Sequence, residues 1–163
     1  MELLEQIPRT MFFKADRAQQ TRLLDHIRAA KPGELICIAE YVFTLQDFRD
    51  ALVERKQVGV KVNLQATGAD VKHLGLQRMH FKLVIVGITY AAGGSANLSL
   101  AAFTRNDDYV TEVEGCSTGV ASARELFFEQ YDCKKATLAE ADEVAAALAN
   151  LAATKAANSF ANN

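Results

Sequence analysis

Apolar and polar residues alternate along the chain in two distinct rhythms, which divide most of it into helical and extended segments. From Ala15 to Ala30, Ala18, Leu23, Leu24 and Ile27 recur among polar residues, and Lys31-Pro32-Gly33 ends the run. This stripe predicts an amphipathic helix with one face on a core and a clear stop signal. Glu34 to Thr44, ELICIAEYVFT, is apolar, β-branched and aromatic, and predicts a strand buried on both faces near its start. Leu45 to Gln57 returns to helical spacing through Phe48, Leu52 and Val53, with Thr44 as cap and Asp47 as first-turn acid. Val58 to Ala66 alternates again. Strand, helix, strand is a βαβ unit, so the two strands are expected to be parallel neighbours.

A polar loop, TGADVKHLGLQ, leads into a third expected strand, Met79 to Val86, and Gly87 marks a turn. Thr89 to Ala92 reads as a fourth strand ending in the turn Gly93-Gly94-Ser95, and Leu98 to Thr104 as a short helix capped by Asn97. Tyr109 to Glu114 alternates as a fifth strand, and Ser117 to Asp132 is helical through Val120, Ala123, Phe127, Phe128 and Tyr131. An Ala-rich helix is expected at 138–157 and a frayed tail at 158–163. No repeat and no linker rich in Pro, Gly or Ser divides the chain. The expectation is therefore one α/β domain over 1–163, a mixed sheet flanked by helices.

Composition narrows the class. Half of the 163 residues are hydrophobic and 23% are charged, as in ordinary globular proteins. The opening MELLEQIPRTMFFKADR has no apolar run of signal-peptide length, and no segment is long and apolar enough to span a membrane. Cys37, Cys116 and Cys133 form neither a CxxC pair nor a Cys/His set, so a zinc site and a disulfide framework are not expected, and a cytoplasmic location is. Cys37, inside LICIA, reads as a small core residue.

The net charge of −2 does not mark a nucleic-acid binder, and its distribution is more informative than its sum. Between Asp70 and Asp107 there is no acid, while Lys72, Arg78, Lys82 and Arg105 and the histidines His73 and His80 all fall there. A basic stretch in an acidic protein points to a local anion site. Within it, His80 and Lys82 are two apart on an expected strand and should share a face, which is costly in a core unless they meet an anion. A hairpin partner ending in Gly94-Ser95-Ala96-Asn97 could bring a hydroxyl, an amide and a bare turn beside them. Together these supply a nucleophilic imidazole, a fixed positive charge and neutral donors, a set suited to holding a phosphate through phosphoryl transfer. His26, on the first helix, reads as a surface residue. No carboxylate cluster like those of two-metal nucleases is present, so neither metal nor cofactor is expected.

His80-x-Lys82 followed by Gly94-Ser95-x-Asn97 resembles the HxK…GSxN signature of the phospholipase D superfamily. The preceding ELICIAEYVFTLQDFRDALVERKQVGVKVNL is similar to that family's strand–helix–strand, and Asn106-Asp107-Asp108-Tyr109-Val110 falls where it places an acid before a strand. The likeness is greatest to small single-motif nucleases. Where the family usually has Asp, five residues after the Lys, this chain has Gly87, and where it commonly has Glu the chain has Asp108.

The resemblance implies a metal-independent phosphodiesterase, most simply a nuclease acting on DNA or RNA. His80 would attack phosphorus to give a phosphohistidine, and His80 of a second copy would protonate the leaving oxygen and then activate water. Lys82 and Asn97 would bind phosphoryl oxygens with Ser95 assisting, and Asp108 would orient an imidazole. Because the chain carries one HxK, a homodimer is implied. Lys72, His73, Arg78, Gly94 and Arg105 are the expected substrate contacts. Two alternatives stand beside this reading: a phospholipase acting on a lipid phosphodiester, and an inactive relative that only binds nucleic acid, the latter motivated by Gly87 and Asp108.

Overall fold

Ile36, Cys37, Ile38 and Ala39 are all inaccessible to solvent, which a strand achieves only when helices cover both of its faces. The computed structural model describes residues 8–66, 80–115 and 118–131, all within the compact unit Met1–Asp132. The helix expected at 138–157 and the tail at 158–163 lie outside the described residues.

The elements run β1 (Arg9–Lys14), α1 (Arg17–Arg28), β2 (Leu35–Glu40), α2 (Gln46–Gln57), β3 (Lys61–Ala66), β4 (Lys82–Val86), β5 (Tyr90–Gly94), α3 (Leu100–Thr104), β6 (Tyr109–Glu114) and α4 (Thr118–Tyr131). Six strands form one sheet in the order β1-β6-β5-β4-β2-β3. β2 and β3 are parallel, as the βαβ reading expects, and the other pairs are antiparallel. The mixed sheet flanked by helices agrees with the expected fold class.

Side chains separate by the period-two geometry of strands. Ile36, Ile38, Val84, Val86, Ala92 and Val110 pack with Leu23 and Ile27 of α1, Phe48 and Leu52 of α2 and Phe103 of α3. Cys37, Ala39, Ile85 and Ala91 face the other way, against Val120 and Phe127 of α4. Burial pushes the Cys37 thiol up to about 11, so it is a core group and not a reactive one.

Four local expectations are revised. β1 was not expected; its residues RTMFFK are mostly exposed and include two cations, so the segment lacks a buried apolar run and gains its order from pairing with β6. The α3 cap is Ser99, whose hydroxyl accepts the Ala102 N–H, and not Asn97. The α2 cap is Leu45, with no side-chain bond, and not Thr44. Gly93 and Gly94 belong to β5, which runs further than its apolar residues suggest.

One charge cluster is structural. Glu112 of β6 is fully buried and accepts Gln19 Nε2 at 2.6 Å, Arg22 Nε at 2.6 Å and the Tyr90 hydroxyl at 2.9 Å. Arg22 also pairs with Glu114, and His26 lies 3.3 Å from that carboxylate while stacking on Tyr90 at 3.7 Å. His26 is therefore a half-buried packing residue, its pKa lowered by burial against the opposing pull of Glu112 and Glu114, and not a plain surface histidine. Arg22→Met should lower the unfolding free energy by about 3–5 kcal/mol in urea titrations, because it strands a buried carboxylate. Arg9→Met, which removes a 3.5 Å surface pair with Glu114, should change it little.

Candidate active site

The C-terminal end of β2, the start of β4, the end of β5 and the start of β6 lie at one end of the sheet. The antiparallel register sets Glu40 opposite Lys82, Leu83 opposite Gly93, and Gly94 opposite Val110. Lys82, Glu40 and Val84 follow the parity of the face under α1 and α2. There Lys82 and Glu40 line a small cavity with Leu23, Ala96, Leu98 and Val110.

Lys82 is buried at 9% exposure, and its ammonium lies 3.0 Å from Nδ1 and 3.1 Å from Nε2 of His80. It also donates to the His80 carbonyl at 3.1 Å and lies 5.6 Å from the centre of the Tyr41 ring. Tyr41 in turn packs against the His80 ring at 4.8 Å. Among the described residues no carboxylate pairs with this ammonium. An ammonium can only donate, so whichever ring nitrogen it meets is the acceptor. His80 itself is exposed and precedes β4, whose first residue is Lys82, whereas the sequence pattern placed both on the strand.

Asn97 is held by its carbonyl end, because its Oδ1 accepts the Val42 N–H at 3.2 Å. A backbone N–H can only donate, so the amide NH2 is the end left for a ligand. The same stretch is tied again where Thr44 and Leu45 N–H groups donate to Leu98 O at 2.9 and 3.2 Å. Ser95 donates its hydroxyl to Asp108 Oδ1 at 2.7 Å and accepts the Tyr109 N–H at 3.1 Å. Asp108 is thus engaged with Ser95, where the sequence resemblance implied an imidazole. With its one proton given to Asp108, Ser95 organises the turn more than it serves a substrate.

Gly94 has a packing reason, since a Cβ there would collide with the Tyr109 carbonyl oxygen across the ladder. Gly87, at the position where Asp is usual, takes φ +60 in the β4–β5 turn, and a Cβ there would meet Glu34 Oε1 at 3.2 Å. Its carbonyl accepts Arg124 NH1 at 2.6 Å, which ties the hairpin turn to α4. Arg105 is exposed at the C-cap of α3, and Lys72, His73 and Arg78 lie outside the described residues.

The sequence pattern does not mark Glu40 as a site residue. It is 1% exposed, and its Oε2 accepts the Leu98 N–H at 3.2 Å. Burial raises its pKa to about 9, opposed by the Leu98 hydrogen bond and the Lys82 charge. The available signal was an acid at the end of the apolar run LICIA.

No protein-family model and no curated protein matches the chain. Solved structures do. Nuc from Salmonella typhimurium, described as a phospholipase D family member, superposes with a TM-score of 0.64 at 21% identity, over 77% of this chain and 95% of that one. NucT from Helicobacter pylori gives 0.59 at 18% identity, over 77% and 97%. The archaeal chromatin protein TrmBL2, described as binding DNA by a novel mode, gives 0.54 at 14% identity, over 80% and 55%. The chain has a phospholipase D-like fold. In this phospholipase D-like fold, the end of the sheet that carries Lys82 also holds His80, Asn97 and the Ser95–Asp108 pair.

Two outcomes follow from this geometry. Gly94→Ala should force β5 and β6 apart and cost about 1–3 kcal/mol in urea unfolding, with loss of the Ser95–Asp108 bond visible as a shift of the Tyr109 amide resonance. Glu40→Gln should raise the Tm. Folded Glu40 keeps its proton up to about pH 9 while an unfolded one releases it near 4.5, so folding stability falls as pH rises through that window. Gln does not titrate, and the Tm advantage measured by calorimetry should widen from pH 4.5 to 9.

Proposed function

We propose that this protein is a metal-independent phosphodiesterase that cleaves the backbone of DNA or RNA. The observation that carries the reading is Lys82, a buried ammonium with no carboxylate partner among the described residues, set against the His80 imidazole. A buried cation left without its counter-charge is costly and becomes favourable when an anion arrives. The amide NH2 of Asn97 and the Lys82 ammonium can only donate, which suits phosphoryl oxygens. The phospholipase D-like fold supports phosphodiester chemistry. The acid-free segment from Lys72 to Arg105 and the DNA-binding description of TrmBL2 support a nucleic-acid substrate.

In the first step an imidazole nitrogen of His80 attacks phosphorus, a P–N bond forms and the P–O bond to the leaving nucleotide breaks. The leaving oxygen takes a proton from a second imidazole. Water then gives a proton to that imidazole and its oxygen displaces His80 from phosphorus, restoring both histidines. The second imidazole is the partner's His80 in a two-fold dimer, since His80 is the one histidine of the chain in an HxK arrangement. Lys82 holds the phosphoryl oxygens as negative charge grows on them, which is where fixed donors contribute most. Asp108 acts through Ser95 on the Gly94–Asn97 turn. Lys72, His73, Arg78 and Arg105 would extend the contact along the backbone. A second reading, an inactive relative that only binds nucleic acid, is favoured by the engagement of Asp108 with Ser95.

Plasmid, single-stranded DNA and RNA incubated with the protein in EDTA should be cut, and His80→Ala should reduce the rate by about a thousandfold or more. Cutting should fall steeply with added salt, and sedimentation should show a dimer at active concentrations. Cutting abolished by EDTA overturns the mechanism. Retardation of DNA without cutting, over a wide pH range, selects the binding-only reading. Release of lipid headgroups in its place selects a phospholipase.

A further inference from the structure

Glu40 is a fully buried carboxyl at the phosphate end of the sheet, and none of the steps above uses it. It is the last residue of β2 and the cross-strand partner of Lys82. Its Oε2 accepts the N–H of Leu98, the residue after Asn97, while two residues further along the Val42 N–H donates to Asn97 Oδ1. These bonds run in opposite directions between two neighbouring segments, so together they fix both the position and the rotation of Asn97. Of the ties joining residues 40–45 to residues 97–98, this is the one made by an ionisable side chain.

Building on the phosphodiesterase reading, we propose that Glu40 is a positioning residue of the phosphate site. Its carboxyl acts as an uncharged tie that sets Asn97 beside Lys82 without consuming the charge of Lys82. An ionised carboxylate opposite Lys82 would be a permanent internal counter-ion, and an incoming phosphate would have to compete with it. The cavity is lined by Leu23, Val84, Ala96, Leu98 and Val110, with Lys82 as the one other ionisable lining residue. This apolar lining keeps Glu40 protonated to about pH 9. Lys82 therefore meets substrate as a free cation, and above that pH it gains an internal partner and loses hold of the phosphate. A carboxyl here joins two requirements, an acceptor for Leu98 and electrical neutrality at working pH, which Gln shares and Ala does not.

The test is a pH series of kcat and KM from pH 5 to 10 with bis(p-nitrophenyl) phosphate, for wild type, Glu40→Gln and Glu40→Ala. The second readout is the amide resonances of Leu98 and Asn97 in wild type and Glu40→Gln. Glu40→Gln should hold kcat within about threefold and lose the rise in KM that wild type shows above about pH 9. Glu40→Ala, checked for folding by circular dichroism, should lose about 10–100-fold in kcat through a misplaced Asn97. The wild-type Leu98 resonance should titrate with a midpoint near 9 and stay still in Glu40→Gln. An alkaline rise in KM that persists in Glu40→Gln has another source and overturns the proposal, as does a Leu98 resonance that does not titrate in wild type. A wild type with no turnover overturns the phosphodiesterase reading instead. The Leu98 titration, together with tighter binding of inorganic phosphate by Glu40→Gln than by Glu40→Ala, then decides the role of Glu40 by itself, and equal phosphate affinity overturns it.

Discussion

The register of β4 between β2 and β5 is the constraint on which the rest of the molecule depends. Its first residue, Lys82, is paired to Glu40 on one side, and its second, Leu83, to Gly93 on the other. Because strand side chains alternate, the same register that sends Lys82 under α1 and α2 sends Val84 and Val86 there and turns Ile85 toward α4. A slip of one residue would put an ammonium into the α4 core and two valines on the wrong face. Core and site are therefore specified together. The cavity at Lys82 is held open by the burial of its neighbours further along the same strand.

Two groups of charge sit on that one face, and their contrast separates support from chemistry. Around Glu112 every contact is complementary: a guanidinium, an amide and a phenol converge on the carboxylate, and His26 stacks alongside on Tyr90. Among the described residues this network is paired internally, with the guanidinium of Arg22 as the cation on both Glu112 and Glu114. At the other end Lys82 is surrounded by an imidazole, a carbonyl and an aromatic ring, none of which cancels its charge. Burial without neutralisation costs stability.

Much of this was legible in the residues. The run ELICIAEYVFT and the alternation of VGVKVNLQA gave the parallel pair with its crossover helix, because a doubly buried strand needs an unbroken apolar run. The spacing of His80, Lys82, Ser95 and Asn97 placed them at adjacent strand ends. What escaped was non-local. β1 could not be read from RTMFFK, since an edge strand draws its order from a neighbour a hundred residues away in sequence. The choice of Asp108 between an imidazole and Ser95 depends on a turn geometry that spacing does not encode. Glu40 looked like the polar end of a strand, and only the apolar lining contributed by Leu23 of α1, Leu98 of the β5–α3 connection and Val110 of β6 raises its pKa far above the usual carboxyl range.

The strand order has a consequence for biosynthesis. β1 is made first and pairs with β6, the last strand described, so that Arg9 meets Glu114 across 105 residues of chain. At ribosomal elongation rates of about 5–20 residues per second, the nascent β1 waits roughly 5 to 20 s for its neighbour. Throughout that interval Phe12, Phe13 and an unpaired backbone edge are open to other chains. Arg9 and Lys14, at the two ends of this strand, are well placed to keep such encounters apart until β6 emerges.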